Sequence, residues 1–310
     1  MKNNLTVVMY HYVRDLSNSK YPKIKGLDNK LFNKQIKYFK KNYNFVTIND
    51  IIDVYDHSAS LPNNPIILTF DDGYKDHYTN VYPVLLKNNI TGCFYPPATT
   101  VLEKKVLDVN KIHFILASNS NENILIEEIF NQLDKFRMKY DLESNEYYFN
   151  KYARRNRFDN KKTIFIKRIL QTGLNEKLRF IITKHLFEKY VTYDEADFSE
   201  QLYMNTNEII EMVGSDMHFG SHGHKHYWLS SLSKKNQENE INNSIKFLRK
   251  IESFNKNWSM CYPYGDYNKD TLDILSKHKC KLAFTTKVKI ANLNLDNRLE
   301  IPRMDTNDYL

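Results

Sequence analysis

The chain has 310 residues, of which 41% are hydrophobic and 26% charged, with a formal net charge of +8. That composition excludes a disordered chain and leaves room for one large core, or a core carrying an insertion. The lysines are scattered, with no uninterrupted run of five or six, so the charge marks no nucleic-acid footprint and no nucleic-acid partner is expected.

The cysteines Cys93, Cys261 and Cys280 are odd in number and lack CxxC spacing, which argues against a disulfide framework or a Cys-rich zinc site. The opening MKNNLTVVMYHYVRD has too short an apolar run for a secretory segment, and no apolar stretch reaches 18 residues. The expectation is a reduced, cytoplasmic setting with no transmembrane segment.

In chain order, Leu5 to Tyr10 reads as a first buried strand ending at His11, and Arg14 to Lys30 as loop. Leu31 to Tyr43 has helical spacing, and Thr47 is placed to cap a helix over Ile48 to Tyr55. Ile66 to Tyr74, IILTFDDGY, reads as a buried strand whose carboxyl end delivers Asp71 and Asp72 side by side before Gly73. Helix-like Tyr74 to Asn89 and strand-like Thr91 to Tyr95 follow. Alternating strands and helices favour parallel strands with crossover helices.

From about Lys111 to Tyr203 glycine is nearly absent and helical periodicity with heavy charge dominates, as expected of a helical insertion. Alternation then resumes. A helix over Asn207 to Val213 is capped by Thr206, and a strand covers Met217 to Ser221. Ser233 caps a helix to about Lys250. Trp258 to Tyr262 is strand-like, Asp270 to His278 helical, and Leu282 to Thr286 and Leu299 to Ile301 are strand-like. The whole reads as a single domain over residues 1–310, with the insertion at about 111–203.

Two further stretches carry chemistry. In FGSHGHKHYW, His222, His224 and His226 fall within five residues. On a helical turn His222 and His226 share a face; on an extended backbone all three do. Two imidazoles and a carboxylate suit a divalent metal. In SMCYPYGDYN, Pro263 and Gly265 make a rigid turn that would hold Tyr262 and Tyr264 at a pocket rim.

Together these stretches resemble the polysaccharide deacetylase family, the NodB-homology carbohydrate esterases that remove N-acetyl groups from sugars. Thr69–Gly73 is similar to that family's first motif, Ser221–His226 to its His-x-x-x-His motif, and Tyr262–Gly265 to a divergent form of its third. MYHYVRD and Lys105 to Ser118 further resemble members from surface-polysaccharide biosynthesis. The resemblance implies an α/β fold, a distorted (β/α)7-type barrel with a helical insertion. It also implies one divalent metal, with zinc the first expectation and cobalt, nickel or manganese compatible with the same ligands.

Carried onto this chain, the resemblance makes Asp72, His222 and His226 the metal ligands and Asp71 the general base. Tyr262, Pro263 and Tyr264 become substrate-binding, with backbone N–H groups near Tyr262–Tyr264 sharing the oxyanion. The family's third-motif arginine is missing, with Cys261 at or beside its position, and Arg303 is the candidate to fill that space. The family's late histidine, which protonates the leaving amine, is also missing, so His11 and His113 are the candidate general acids. His224 is left beside the site or facing solvent.

The implied function is hydrolysis of an N-acetyl or other N-acyl group of an amino sugar, free, nucleotide-linked or lipid-linked, in surface glycan or nucleotide-sugar biosynthesis. The alternatives are a catalytically impaired carbohydrate-binding member and a metal hydrolase of another acylated amine.

Overall fold

The computed structural model describes residues 3–119 and 121–309. It divides into two compact units. One comprises residues up to Asp15, Gly26–Lys105 and from Ser199 on; the other comprises Leu16–Lys25 and Val106–Phe198.

The first unit is built on parallel strands. β1 (Asn4–Tyr10) and β2 (Pro65–Asp71) are buried almost end to end, as the unbroken apolar runs LTVVMY and IILTF require of strands covered on both faces. They pair in parallel from Thr6↔Ile66 to Tyr10↔Phe70. β2 continues to β3 (Cys93–Tyr95) and β3 to β4 (His218–Phe219), again in parallel.

A bridge from Ser221 to Met260 leads to β5 (Ser259–Cys261), which pairs with β6 (Leu282–Phe284). A bridge from Phe284 to Ile301 and the pairing of β7 (Met304–Asp305) with β1 complete the circuit. The sequence places the last strand at Leu299–Ile301; in the structure this stave runs on to Asp305, which puts Arg303 among the strand ends.

Helices α1 (Asn29–Asn42), α2 (Ile48–His57), α3 (Tyr82–Lys87), α4 (Ala98–Leu102), α5 (Thr206–Gly214), α6 (Lys234–Lys250) and α7 (Lys269–Lys277) connect the staves. Thr47 caps α2 in a reciprocal box with Asp50, and Ser233 caps α6. For α5 the cap is Asn205, one residue before the expected Thr206, because Glu208 answers it from the third helical position. The helix expected from Tyr74 starts at Lys75, passes through a single π-turn over His77–Val81 and is α-helical again from Tyr82, where Pro83, lacking an N–H, fits the first turn.

Strand alternation sorts the side chains. Tyr10, Phe70, Phe94 and Phe219 occupy matched registers on four successive staves and stack in a row, with ring centroids 4.9, 4.9 and 5.3 Å apart. They belong to the large cluster beneath the helices. The opposite face carries Val7, Ile67, Cys93, Tyr95, Cys261 and Phe284. Asp71 shares the parity of Ile67 and Thr69, so it points to this inner side at the carboxyl end of β2.

The second unit is helical, with helices Asp108–Ser118, Glu122–Tyr140, Asn145–Tyr152, Lys161–Arg168 and Glu176–Tyr190. Buried Lys111 pairs with Glu195 at 2.9 Å, and buried Asp159 is held by Lys25 and Lys167. No described helix is long and apolar enough to cross a membrane.

Buried His77 and half-buried His218 of the first unit lie outside the cluster described below. Desolvation pushes His77 and His218 down to about 4. His77 Nε2 donates to the His11 carbonyl at 2.9 Å, and His218 Nε2 meets Ser259 Oγ at 2.7 Å. Between an unfolded value of about 6.5 and the folded value near 4, the unfolded chain binds more protons, so stability rises with pH across that window. Urea unfolding should therefore show stability falling as pH drops from 7 to 4.5, and His218→Gln should lower the slope by roughly 1 kcal/mol per pH unit. An unchanged slope in the variant contradicts a neutral folded-state His218.

Candidate active site

The site forms where β2 ends. Asp72 has φ +71° and Gly73 φ +69°, so the chain turns through two consecutive left-handed residues. A Cβ on Gly73 would lie 2.5 Å from Pro96 Cβ, so only glycine lets the strand end approach the segment after β3 this closely. The turn sends the two aspartates to different surroundings.

Asp71 is buried and gripped by Arg303. The guanidinium donates to both carboxylate oxygens, Nη1 to Oδ1 at 2.9 Å and Nη2 to Oδ2 at 2.8 Å. Its remaining donors reach the Thr285 carbonyl at 2.8 Å, Thr69 Oγ1 at 3.1 Å and Cys261 Sγ at 3.2 Å. Arg303 is itself fully buried. Burial alone would push the Asp71 carboxyl up, but Arg303 and then His222 outweigh it and hold it down at about 2. The structure thus places Arg303 against Asp71, and the small Cys261 leaves the space it occupies.

Asp72 is satisfied on one side only. Oδ2 accepts the Tyr74 hydroxyl at 2.5 Å, while buried Oδ1 accepts no hydrogen bond. Oδ1 instead faces His222 Nε2 at 3.5 Å and His226 Nε2 at 3.3 Å. One ligand atom from each of the three residues lies within 4.8 Å of the others. The His222 Nδ1 is 2.7 Å from the Cys261 carbonyl, which only accepts, so Nδ1 carries the proton and Nε2 offers its lone pair towards Asp72.

A carboxylate oxygen facing two imidazole nitrogens is satisfied either by hydrogens on those nitrogens or by a metal ion held among the three groups. Burial opposes charge on both histidines; Asp72 and Asp71 overcome it and raise His222, whereas burial prevails and lowers His226. The donor set fits a divalent ion of the zinc type.

The two histidines meet through neither a helix nor a strand, contrary to both sequence-based alternatives. Residues 222–228 form an irregular loop, with Gly223 at φ +73° and His226 at φ +58°. Buried Glu240 of α6 pins it, its Oε2 accepting from the backbone N–H of His224 at 3.1 Å and of Lys225 at 2.8 Å. Thr99 of α4 holds the His224 carbonyl through its N–H and hydroxyl, both at 3.0 Å. The half-buried His224 ring points elsewhere, with Nε2 3.8 Å from Glu103.

The Tyr262–Tyr264 expectation needs correcting. Tyr262 is fully buried, its hydroxyl donating to the Leu299 carbonyl at 2.7 Å and its N–H to the Phe284 carbonyl at 3.2 Å. It is therefore core, and its N–H is unavailable to an oxyanion. Pro263 is buried too. Tyr264 alone of the three is half-buried; its ring meets His226 edge-on at 4.6 Å and stacks on Trp228 at 4.3 Å. Ser230 and Asp266 join the two loops through bonds of 2.7 and 2.8 Å.

His11 follows β1, half-buried, and contributes to lowering both Asp71 and Asp72. His113 belongs to the helical unit, on Asp108–Ser118.

Sequence reasoning missed Tyr74, Glu240 and Trp228. Tyr74 adjoins Asp-Asp-Gly and was within reach of a local reading, whereas Glu240 acts from a helix whose phase alone does not reveal an inward carboxylate.

A polysaccharide deacetylase family profile matches residues 58–152 and 158–283, more than half of the chain. The chain belongs to the polysaccharide deacetylase family. It is accordingly an enzyme of the carbohydrate esterase type that acts on amide bonds. The matched stretch holds the Asp72, His222 and His226 cluster and Asp71, but stops short of Arg303 and begins after His11.

Solved structures support the fold. The Streptococcus pyogenes deacetylase PplD in complex with acetate is similar at 16% identity and TM-score 0.58, covering 98% of this chain and 93% of that one. IcaB from Ammonifex degensii is similar at 19% identity and TM-score 0.57, covering 98% and 92%. The deacetylase domain of BpsB from Bordetella bronchiseptica is similar at 14% identity and TM-score 0.57, covering 98% and 96%. A search of curated proteins finds no match.

The Tyr74 hydroxyl fixes the carboxylate that faces the histidines, so Tyr74→Phe should weaken divalent-metal binding by about 10- to 100-fold, read by competition with a chelating dye. Unchanged affinity would show that Asp72 is held without Tyr74.

Proposed function

We propose that the protein is a metal-dependent deacetylase that hydrolyses the N-acetyl group of an amino sugar in a surface glycan or its precursor, with zinc the preferred ion. One observation carries this reading. Asp72 Oδ1, buried and without a hydrogen bond, faces two imidazole nitrogens beside a second, separately neutralised carboxylate. Asp72, His222 and His226 would hold the ion, which when bound supplies Lewis acidity towards a carbonyl oxygen and towards water.

The chain's own groups do the rest. Asp71, ionised throughout the neutral range, accepts the proton lost by the attacking water. Arg303 fixes the plane of that carboxylate and keeps the buried charge tolerable. A base held near 2 is weak, so it serves only where the water has been acidified; this couples Asp71 to the neighbouring cluster. His11, anchored through its carbonyl by His77, is the group we assign to protonate the leaving amine. Tyr264, against Trp228 at the rim, supplies an aromatic face for a sugar ring.

The acetate in the similar PplD structure agrees with acetyl chemistry. The binding-only alternative drew on the missing arginine, and the Arg303 fork on Asp71 weighs against it. The helical unit we regard as an insertion in the catalytic one.

The test is acetate release from N-acetylglucosamine oligomers, with metal content measured on the same samples. Asp71→Asn should lower the rate by about 10²- to 10⁴-fold with metal stoichiometry unchanged. Arg303→Lys, which keeps the charge but loses the two-pronged geometry, should lose most of the activity too. Undiminished acetate release by Asp71→Asn sinks the mechanism.

A further inference from the structure

At the end of the barrel where the strands begin, away from the aspartates, two adjoining hollows of about 470 and 690 Å³ share Phe254, His278 and Lys279 as a common wall. The smaller is lined by Lys246 and Arg249 of α6, by Lys277 and Lys279 across from them, and by three asparagine amides, with no carboxylate in its lining. The larger adds Lys256, Lys281 and Arg298 against Asp53 and Asp56. Seven cations line the groove against Asp53, Asp56 and the Glu238 that pairs with Lys277, a net charge of +4.

The pairing inside the groove is uneven. Lys281 and Arg298 both engage Asp56 at 2.7 Å, and Lys277 pairs with Glu238 at 2.5 Å. Lys246, Arg249 and Lys279 have no ion pair among the described residues. Arg249 and Lys277 lie in the last turns of their helices, where cations complement the helix dipole. Lys246, Lys256 and Lys279 have no such helix-end role, and they leave positive charge along the groove for an anion to meet.

The shape narrows the ligand. The hollows are recessed, which a flat bilayer surface does not fill. Phe254 is the one phenyl ring shared by both hollows; it is half-buried, with Arg249 over it at 4.8 Å, so a series of stacked bases would find little aromatic surface here. We propose that the groove is a second binding site, for a linear polymer with closely spaced phosphate groups, remote from the catalytic end. The proposal does not depend on the deacetylase chemistry.

The experiment uses the full-length protein and fluorescent inorganic polyphosphate, read by anisotropy. A charge-matched control, Arg155→Glu/Lys162→Glu, alters the helical unit instead. Arg249→Glu/Lys279→Glu should weaken polyphosphate binding at least about tenfold, and the wild-type affinity should fall steeply with salt. The control should bind as wild type, and acetate release from short oligomers should be the same in all three proteins. Equal loss in the control reduces the effect to net charge and overturns the site, as does full binding by Arg249→Glu/Lys279→Glu. Equally tight, groove-dependent binding of single-stranded DNA or of phosphatidylglycerol vesicles would overturn the phosphate-polymer assignment.

Discussion

The site depends on how the protein tolerates two adjacent carboxylates in its interior. Charges out of water are costly unless paired and hydrogen-bonded, and two neighbouring like charges are doubly so. The left-handed turn at Asp72 and Gly73 separates the problem into two. Asp71 is matched by Arg303 with every carboxylate oxygen engaged, while Asp72 is half-matched, with Tyr74 on one oxygen and two imidazole nitrogens facing the other. The first arrangement is stable by itself. The second suits a cation, and that incompleteness is what makes the site chemical rather than structural.

The closure of the barrel supplies the arginine. Arg303 reaches Asp71 because the last stave lies against both β6, through the Phe284 to Ile301 bridge, and β1. β1 in turn pairs with β2, so the final segment of the chain passes within reach of the carboxyl end that carries the aspartates. Cys261 makes this possible from the other side. A longer side chain there would occupy the volume that the guanidinium now fills, and the 3.2 Å approach of Cys261 Sγ to Nη1 records how closely the two share it.

Much of this was legible in sequence, for identifiable reasons. The long apolar runs into Tyr10 and Phe70 betray strands covered on both faces, and Asp-Asp-Gly after such a run marks a strand end. The convergence of His222 and His226 on Asp72 was expected, but not the backbone that achieves it. A loop with two positive-φ residues has no periodicity to read, and Gly223 signals only one of them. Tyr262 was misplaced at the rim because an aromatic in a Pro-Gly turn looks exposed, whereas its hydroxyl finds the Leu299 carbonyl inside the core. Glu240 stayed invisible because its partners are backbone amides of a loop 15 and 16 residues earlier.

The proposed chemistry needs a metal ion held by Asp72, His222 and His226, and an anomalous-diffraction map of crystals grown with zinc is its sharpest test. The expected result is one peak within about 2.0–2.2 Å of Asp72 Oδ1 and the two Nε2 atoms. A protein saturated with zinc that shows no peak there, or one held by other residues, would contradict it.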